Sequence, residues 1–351
     1  MKRNIPDIHD FASDRKISAH RVMDFTNSAN PLGPSSHARN AIRKSIKMID
    51  RPVDHRARYL ARSLARLHDV PEDNIVASGS FDALLTAITR SFNAGTVLCC
   101  APYPSYYRKV VEGPVNFHFL DLEEREHFLF DRVLWEEQLP VCDAAIISYP
   151  SFISERPLSH DDVRRMIAIA EDRGMLLIID ETFIQYSLAD SAAGDIAGHP
   201  HCFIISSLTE YYALQGLPVS YCIGEASALA ALRQRFPISA PSALAAAAAA
   251  GSIRDRVYPR QTRTYFADEH TFIQEGLGKI PGISFYTTAC GSFVIKFSGP
   301  PLKTLDTFSR YNILVDAISG SLFFPVKNHK WNARYLKTLK NIMGKQYNET
   351  L

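Results

Sequence analysis

The residues in this chain best placed to do chemistry are acids and hydroxyls set beside apolar runs. Asp180 closes the run MLLIID, and in a doubly wound sheet the C-terminal end of a parallel strand is where ligand contacts sit. Taken alone, such an aspartate can equally cap a turn. Further on, Ser206, Ser207 and Thr209 cluster with an acid, Glu210, ahead of a glycine turn at Gly216. They lie between CFIIS and VSYCI, two short runs rich in β-branched and aromatic residues that read as buried strands. A third place is VASGSFDALL, where Gly79-Ser80 makes a small-residue turn that opens a helix. Unpaired N–H groups at such a turn, with the helix dipole behind them, favour an anion.

Positioning these residues takes strands and helices in alternation. IVASGS (75–80), TVLCCA, VNFHFLDL, AAIISYP (144–150) and MLLIID (175–180) read as strands, several of them continuously apolar. Between them FDALLTAITRSF, YPSYYRKVV and HDDVRRMIAIAEDRG read as helices, the last capped by Ser159. That alternation predicts an α/β fold with a mostly parallel sheet covered on both faces. Upstream, a polar arm leads to VMDFTNSANPLGPS, whose Asn30-Pro31 and Gly33-Pro34 pairs force turns, and 35–48 and 57–68 have helical spacing. Downstream, 225–275 reads as helical, and its run Ala245–Ala250 predicts a helix packed close against its neighbours. PGISFY, GSFVIKF, a helix near 301–310, YNILVDAI, LFFPVK and WNARYLKTLKNIM predict a small α/β domain closing the chain.

A length of 351 residues suits one large domain plus one small one. With 46% hydrophobic and 22% charged residues the balance is that of a soluble globular protein. A net charge of +2 gives no case for nucleic acid or an anionic membrane as partner. The opening residues lack the apolar core of a signal peptide, and no run approaches the roughly 20 apolar residues of a membrane span. The six cysteines are scattered, without a C-x-x-C pair or Cys/His metal spacing, and read as buried free thiols; a reducing cytoplasm fits them.

SLTEYYALQGLPVSY resembles the lysine segment of the fold-type I pyridoxal-phosphate enzymes, the class I and II aminotransferases and related decarboxylases. That segment usually reads S-L-[ST]-K-x-x-x-L-x-G-L-R-x-G-Y, and Ser207, Leu208, Thr209, Leu214, Gly216, Leu217 and Tyr221 keep its frame. DFTNSANPLGPS and ILVDAISGSLFF are similar to segments of the branch containing L-threonine-O-3-phosphate decarboxylase and histidinol-phosphate aminotransferase. The likeness runs from residue 22 to 340. It implies a large domain (31–250) with a mostly parallel seven-stranded-type sheet and a small C-terminal α/β domain (251–351), joined by an N-terminal arm (1–30). It also implies pyridoxal phosphate as cofactor, an amino-acid-like substrate, a homodimer, and descent from amino-acid or cobalamin-type cofactor biosynthesis. By the same resemblance Asp180 would pair with the cofactor's pyridine nitrogen and Tyr106, with Tyr103 nearby, would stack on its ring. Gly79 and Ser80 would cradle its phosphate, Ser207 and Thr209 would belong to the same cofactor-binding set, and Asn30 and Lys327 would meet the substrate.

The chemical positions depart from the family pattern. Glu210 stands at the Schiff-base lysine and Pro218 at the phosphate-binding arginine. Phe81 replaces a small residue of the phosphate turn, Phe152 the asparagine and Phe183 the tyrosine that hold the cofactor's phenolic oxygen. Pro52-Val53-Asp54 aligns with the family's Y-P-D, and no arginine lies between Ser321 and Lys330, where the family binds a substrate carboxylate. Glutamate forms no imine, so the covalent anchor is lost, although Glu210 could still move protons. The changes remove about four positive charges opposite a phosphate carrying roughly two negative ones. Like unit charges about 4 Å apart cost roughly 4 kcal/mol at an effective dielectric near 20. Lysine-based catalysis is therefore expected to be lost or strongly impaired, with covalent cofactor binding absent and non-covalent binding weak. Three readings follow: non-covalent use of the cofactor with Glu210 as base, a non-catalytic dimeric homologue, or a cleft repurposed around an Asp180/Glu210 carboxylate pair. A relocated lysine, Lys296 or Lys327, would overturn the loss of the anchor.

Overall fold

The structure is a computed structural model that describes residues 7–107, 110, 115–298 and 302–349. A short strand, β1 (Met23–Asp24), precedes the main sheet. That sheet contains β2 (Ile75–Ser78), β3 (Thr96–Ala101), β4 (Asn116–Asp121), β5 (Ala144–Ser148), β6 (Leu176–Asp180), β7 (Cys202–Ser207) and β8 (Ser220–Ile223). Its order is β2-β8-β7-β6-β5-β3-β4. Every pairing from β7 to β4 is parallel, and β8 runs antiparallel to both β7 and β2. Two reversals leave β2 pointing the same way as β7, so the turns after β2, β3, β6 and β7 all open at one edge of the sheet. The mostly parallel sheet expected from the continuous apolar runs is therefore present, with the seven strands that the family resemblance implies.

Alternation along the strands divides the core into two layers. Ala145, Ile147, Leu177, Ile179 and Ile204 face one cluster, and Ala144, Ile146, Ile178, Phe203 and Ile205 the other. Both faces exclude water, which is why these strands read as unbroken apolar runs rather than as alternating ones. Helix His160–Arg173 starts at Ser159, whose side chain accepts the Asp162 N–H, and ends on Gly174 in the left-handed region (φ 59°). Helices 36–45, 58–68 and 81–91 fall where the spacing placed them. YPSYYRKVV, expected to be a short helix, is a 3₁₀ turn at Ser105–Tyr107, and part of it lies outside the described residues.

The C-terminal part carries a separate antiparallel sheet of β9 (Ile283–Thr287), β10 (Phe293–Phe297), β12 (Asp316–Ile318) and β13 (Ser321–Phe324). A further strand, β11 (Ile313–Leu314), pairs in parallel with β1, tying the first part of the chain to the last. Helices Tyr258–Gly278 and His329–Glu349 cover this sheet over a core centred on Phe293, Phe324 and Tyr335. All six cysteines are free, and among the described residues no group of acids, histidines and cysteines could hold a metal ion. No described helix is long and apolar enough to cross a membrane.

The alanine run forms the helix Ala243–Ile253, which crosses the expected boundary at residue 250 and packs closely on the helix Ser36–Ser45. At Gly251 a Cβ would lie 2.9 Å from the His37 carbonyl oxygen and 3.0 Å from Ala41 Cβ. Helix propensity favours any ordinary residue over glycine by up to about 1 kcal/mol, but overpacking against fixed backbone costs about 1–3 kcal/mol. Gly251→Val should therefore destabilise the protein by about 2 kcal/mol in urea unfolding. A variant as stable as the native protein would mean that these helices are not in this contact.

Candidate active-site cleft

Asp180 ends β6 with its carboxylate buried (1% exposed). Oδ2 accepts the hydroxyls of Tyr106 (2.7 Å) and Tyr107 (2.8 Å), and Oδ1 accepts the Thr182 N–H (2.9 Å). No cation is among these partners. Burial pushes the Asp180 carboxyl above its ordinary range, while the hydrogen bonds pull it back. Burial likewise drives both tyrosines well above the usual phenol range, with the charge of Asp180 adding to the effect. Phe81, the first residue of the helix after β2, packs edge-on against Tyr106 (4.8 Å between centroids) and stacks on Tyr107 (5.7 Å). The residue that replaces a small one in the phosphate turn is thus the wedge that fixes both tyrosines.

Glu210 follows β7 in the turn that returns to β8. Its carbonyl accepts the Asn30 N–H (2.9 Å) and the Tyr186 hydroxyl (3.3 Å). Its side chain is part-buried, and Oε2 is enclosed with no hydrogen-bond partner among the described residues. Burial raises its proton affinity; the Ser207 hydroxyl opposes the rise and the charge of Asp180 adds to it.

The expected cofactor contacts are engaged within the chain. Gly79 donates its N–H to the Ser239 carbonyl (3.1 Å), and Ser80 donates its own to Ser78 Oγ (3.1 Å). Ser80 Oγ caps the following helix by accepting the Ala83 N–H (3.1 Å). Ser207 Oγ accepts the Thr209 N–H (3.2 Å), and Thr209 Oγ1 accepts the Val219 N–H (3.2 Å). Pro218 has no N–H to offer.

The two residues expected to meet a substrate do framework work instead. Asn30 is buried, donating to Thr262 Oγ1 (2.9 Å) and accepting the Leu32 N–H (3.1 Å). Lys327 is also buried, with Nζ donating to the Asn27 carbonyl (2.7 Å) and Asn27 Oδ1 (2.9 Å). Burial brings its pKa down to about 8, against the pull of Asp24. Lys296 donates to the Glu124 carbonyl and faces the Tyr286 ring. Both lysines are thus bonded to residues other than Glu210.

Apolar side chains fill the ground between the two sheets. Phe152, Phe183 and Phe323 cluster with Phe128, Ile153, Tyr286, Cys290 and Val294, and Tyr106 and Tyr186 pack on the same cluster. The Phe152 and Phe323 rings are 5.7 Å apart. Two residues escaped the sequence reading. Tyr107, whose only signal is the repeated tyrosine in PSYYR, is the second donor to Asp180; Tyr103 belongs to the core, stacked on Phe119. Glu181, fully buried beside Asp180, accepts the Ser191 hydroxyl and the Ala192 N–H (both 2.7 Å).

A doubly wound sheet with a second, antiparallel sheet, and an acid at the end of the central strand, define a fold-type I pyridoxal-phosphate architecture. The model of the class I and II aminotransferases matches residues 21–317, and the chain belongs to that family. It is similar to the threonine-phosphate decarboxylase of Salmonella typhimurium, 23% identical over 96% of this chain and 95% of that protein. It is also similar to the histidinol-phosphate aminotransferase of Methanothermobacter thermautotrophicus, 22% identical over 83% and 78%. Among solved structures, the histidinol-phosphate aminotransferase of Sinorhizobium meliloti in complex with pyridoxal-5'-phosphate superposes with a TM-score of 0.85. That likeness covers 98% of this chain and 96% of the other at 15% identity, and supports the fold. The family's cofactor is pyridoxal phosphate. The residues of this cleft do not fit it as arranged: Asp180 already accepts two hydroxyls, the Gly79-Ser80 turn is bonded inward, and the acid Glu210 follows β7.

Glu181 supplies a measurable consequence. Burial raises its pKa to about 7 from an ordinary 4.5. An acid that holds its proton more tightly in the folded state loses stability as pH rises from about 4.5 to about 7, and the loss is then complete. At 1.36 kcal/mol per unit the loss is on the order of 3 kcal/mol. Glu181→Gln should flatten the fall of unfolding free energy across that window relative to the native protein. Parallel curves for the two proteins would contradict this assignment.

Proposed function

We propose that this chain keeps the architecture of threonine-phosphate decarboxylase-like and histidinol-phosphate aminotransferase-like proteins but not their lysine-based chemistry. The observation that carries the reading is the state of Asp180, whose Oδ2 already accepts both Tyr106 and Tyr107. A pyridinium N–H at this carboxylate would have to share it with those two donors. Glu210 at the lysine position supports the same conclusion, because a carboxylate cannot form an imine. In this reading the protein is a cytoplasmic homodimer descended from an enzyme of amino-acid or cobalamin-type cofactor biosynthesis. Its parts are the arm 1–30, the large domain 31–250 and the small domain 251–351. Exposed Ile46, Met48, Ile49, Val53 and Tyr59, around the segment aligned with Y-P-D, support the dimer.

A second reading has one observation in its favour, the enclosed and unpartnered Oε2 of Glu210. A cleft repurposed around the Asp180/Glu210 pair would give that oxygen a ligand proton or a cationic group to meet.

The test is the absorbance spectrum during titration with pyridoxal phosphate, for the native protein and for Glu210→Lys. Neither should develop the visible band of a lysine imine, since restoring the anchor leaves Asp180 capped and the phosphate turn bonded inward. A band in the native protein would show that another lysine serves. A band in Glu210→Lys alone would show that the pocket is intact apart from its anchor.

A further inference from the structure

An open groove lies apart from Asp180, which is not among its lining residues. Its volume is about 980 Å³, and it runs between the helix Ser36–Ser45 and the start of the helix Tyr258–Gly278. Arg39 and Arg43, one turn apart, stand on one wall, and Arg260 on the other. Several arginines elsewhere pair with acids: Arg58 with Asp54, Arg62 with Glu72, Arg132 with Glu136 and Asp162, Arg164 with Asp195. In the groove, by contrast, none of Arg39, Arg43 and Arg260 has a carboxylate partner among the described residues, and Arg43 reaches only Asn40 Oδ1 (3.2 Å).

Acids are present in the groove without quenching these charges. Asp255 lines it, but its carboxylate is spent on His37 Nδ1 (3.0 Å) and the N–H groups of Val257 (3.0 Å) and Tyr258 (3.1 Å). Asp268 is the remaining acid, against three guanidiniums. Gln261, Thr264 and Tyr265 add neutral hydrogen-bonding groups along the same surface. Planar guanidinium forks suit oxyanions in a bidentate mode, and about 300–1,000 Å³ is the scale of small-molecule sites. The groove is also fastened to the cleft. The Tyr258 hydroxyl donates to the carbonyls of Gly33 (2.9 Å) and Tyr211 (3.3 Å), the latter adjacent to Glu210.

We propose that this groove is a binding site for a small molecule carrying two or more oxyanion groups, gripped by Arg39 and Arg43 on one side and Arg260 on the other. The site is separate from the pyridoxal-phosphate cleft and independent of whether that cleft is active. A ligand seated there would bridge the two helices that line the groove.

The experiment is thermal unfolding of the full chain titrated with inorganic pyrophosphate and, separately, with citrate, at constant ionic strength set by sodium chloride. Binding to the native state alone raises Tm in a saturable way. Saturable shifts of several degrees are expected with at least one anion in the native protein, and none in Arg39→Ala/Arg260→Ala. That variant changes exposed side chains only and should keep the native Tm without anion. A response to pyrophosphate alone assigns the site to phosphorylated ligands, and an equal response to citrate assigns it to polyanions generally. No saturable shift with either anion, or the same shift in the double variant, would overturn the proposal.

Discussion

A carboxylate buried without a counter-cation organises this cleft. Moving an ionised acid out of water costs several kcal/mol unless hydrogen bonds repay it. Asp180 meets that demand with two phenol hydroxyls and one backbone N–H. Each donor imposes a constraint of its own. Tyr106 and Tyr107 must stay folded over β6, Phe81 must hold their rings in place, and the turn after β2 must carry a bulky residue where a phosphate turn would carry a small one. The Tyr106 ring also abuts Phe183 and the aromatic cluster between the two sheets. One hydrogen-bonding requirement thus links three strand ends and the packing of both sheets.

The distribution of cations follows the same pattern. The partners of Asp180 are hydroxyls and a backbone N–H, and Phe81 and Phe183 stand against Tyr106 beside it. Lys327 is buried, but its ammonium group is consumed by Asn27 in the turn that β1 and β11 anchor. That turn is itself stapled by Asp24, which accepts from Thr26 and Asn27. Three arginines without acidic partners, Arg39, Arg43 and Arg260, line the outer groove between two helices. Positive charge has not vanished from this face of the molecule, but it no longer surrounds Asp180.

Much of this was legible in the sequence. Continuous apolar strands announced a sheet covered on both faces, and the frame from Ser207 to Tyr221 announced the family, because backbone periodicity and glycine turns survive loss of chemistry. The alanine run was readable as a closely packed helix for the same reason. What the sequence could not reveal was which polar groups had found partners inside the chain. Asn30 and Lys327 look like substrate contacts by position, yet bond to Thr262 and Asn27, far away along the chain. Ser80 and Thr209 look like cofactor ligands, yet cap a helix and a turn. Tyr107 is invisible as a site residue because its role depends on which way a 3₁₀ turn directs two adjacent rings. Partnership of that kind is a property of three-dimensional packing, and residue type and spacing do not carry it.

The most direct measurement is a crystal structure of the protein grown with saturating pyridoxal phosphate. This account predicts that Tyr106 and Tyr107 still donate to Asp180 Oδ2 and that no cofactor density lies over the carboxylate. A cofactor ring seated on Asp180, with the tyrosines displaced, would contradict it.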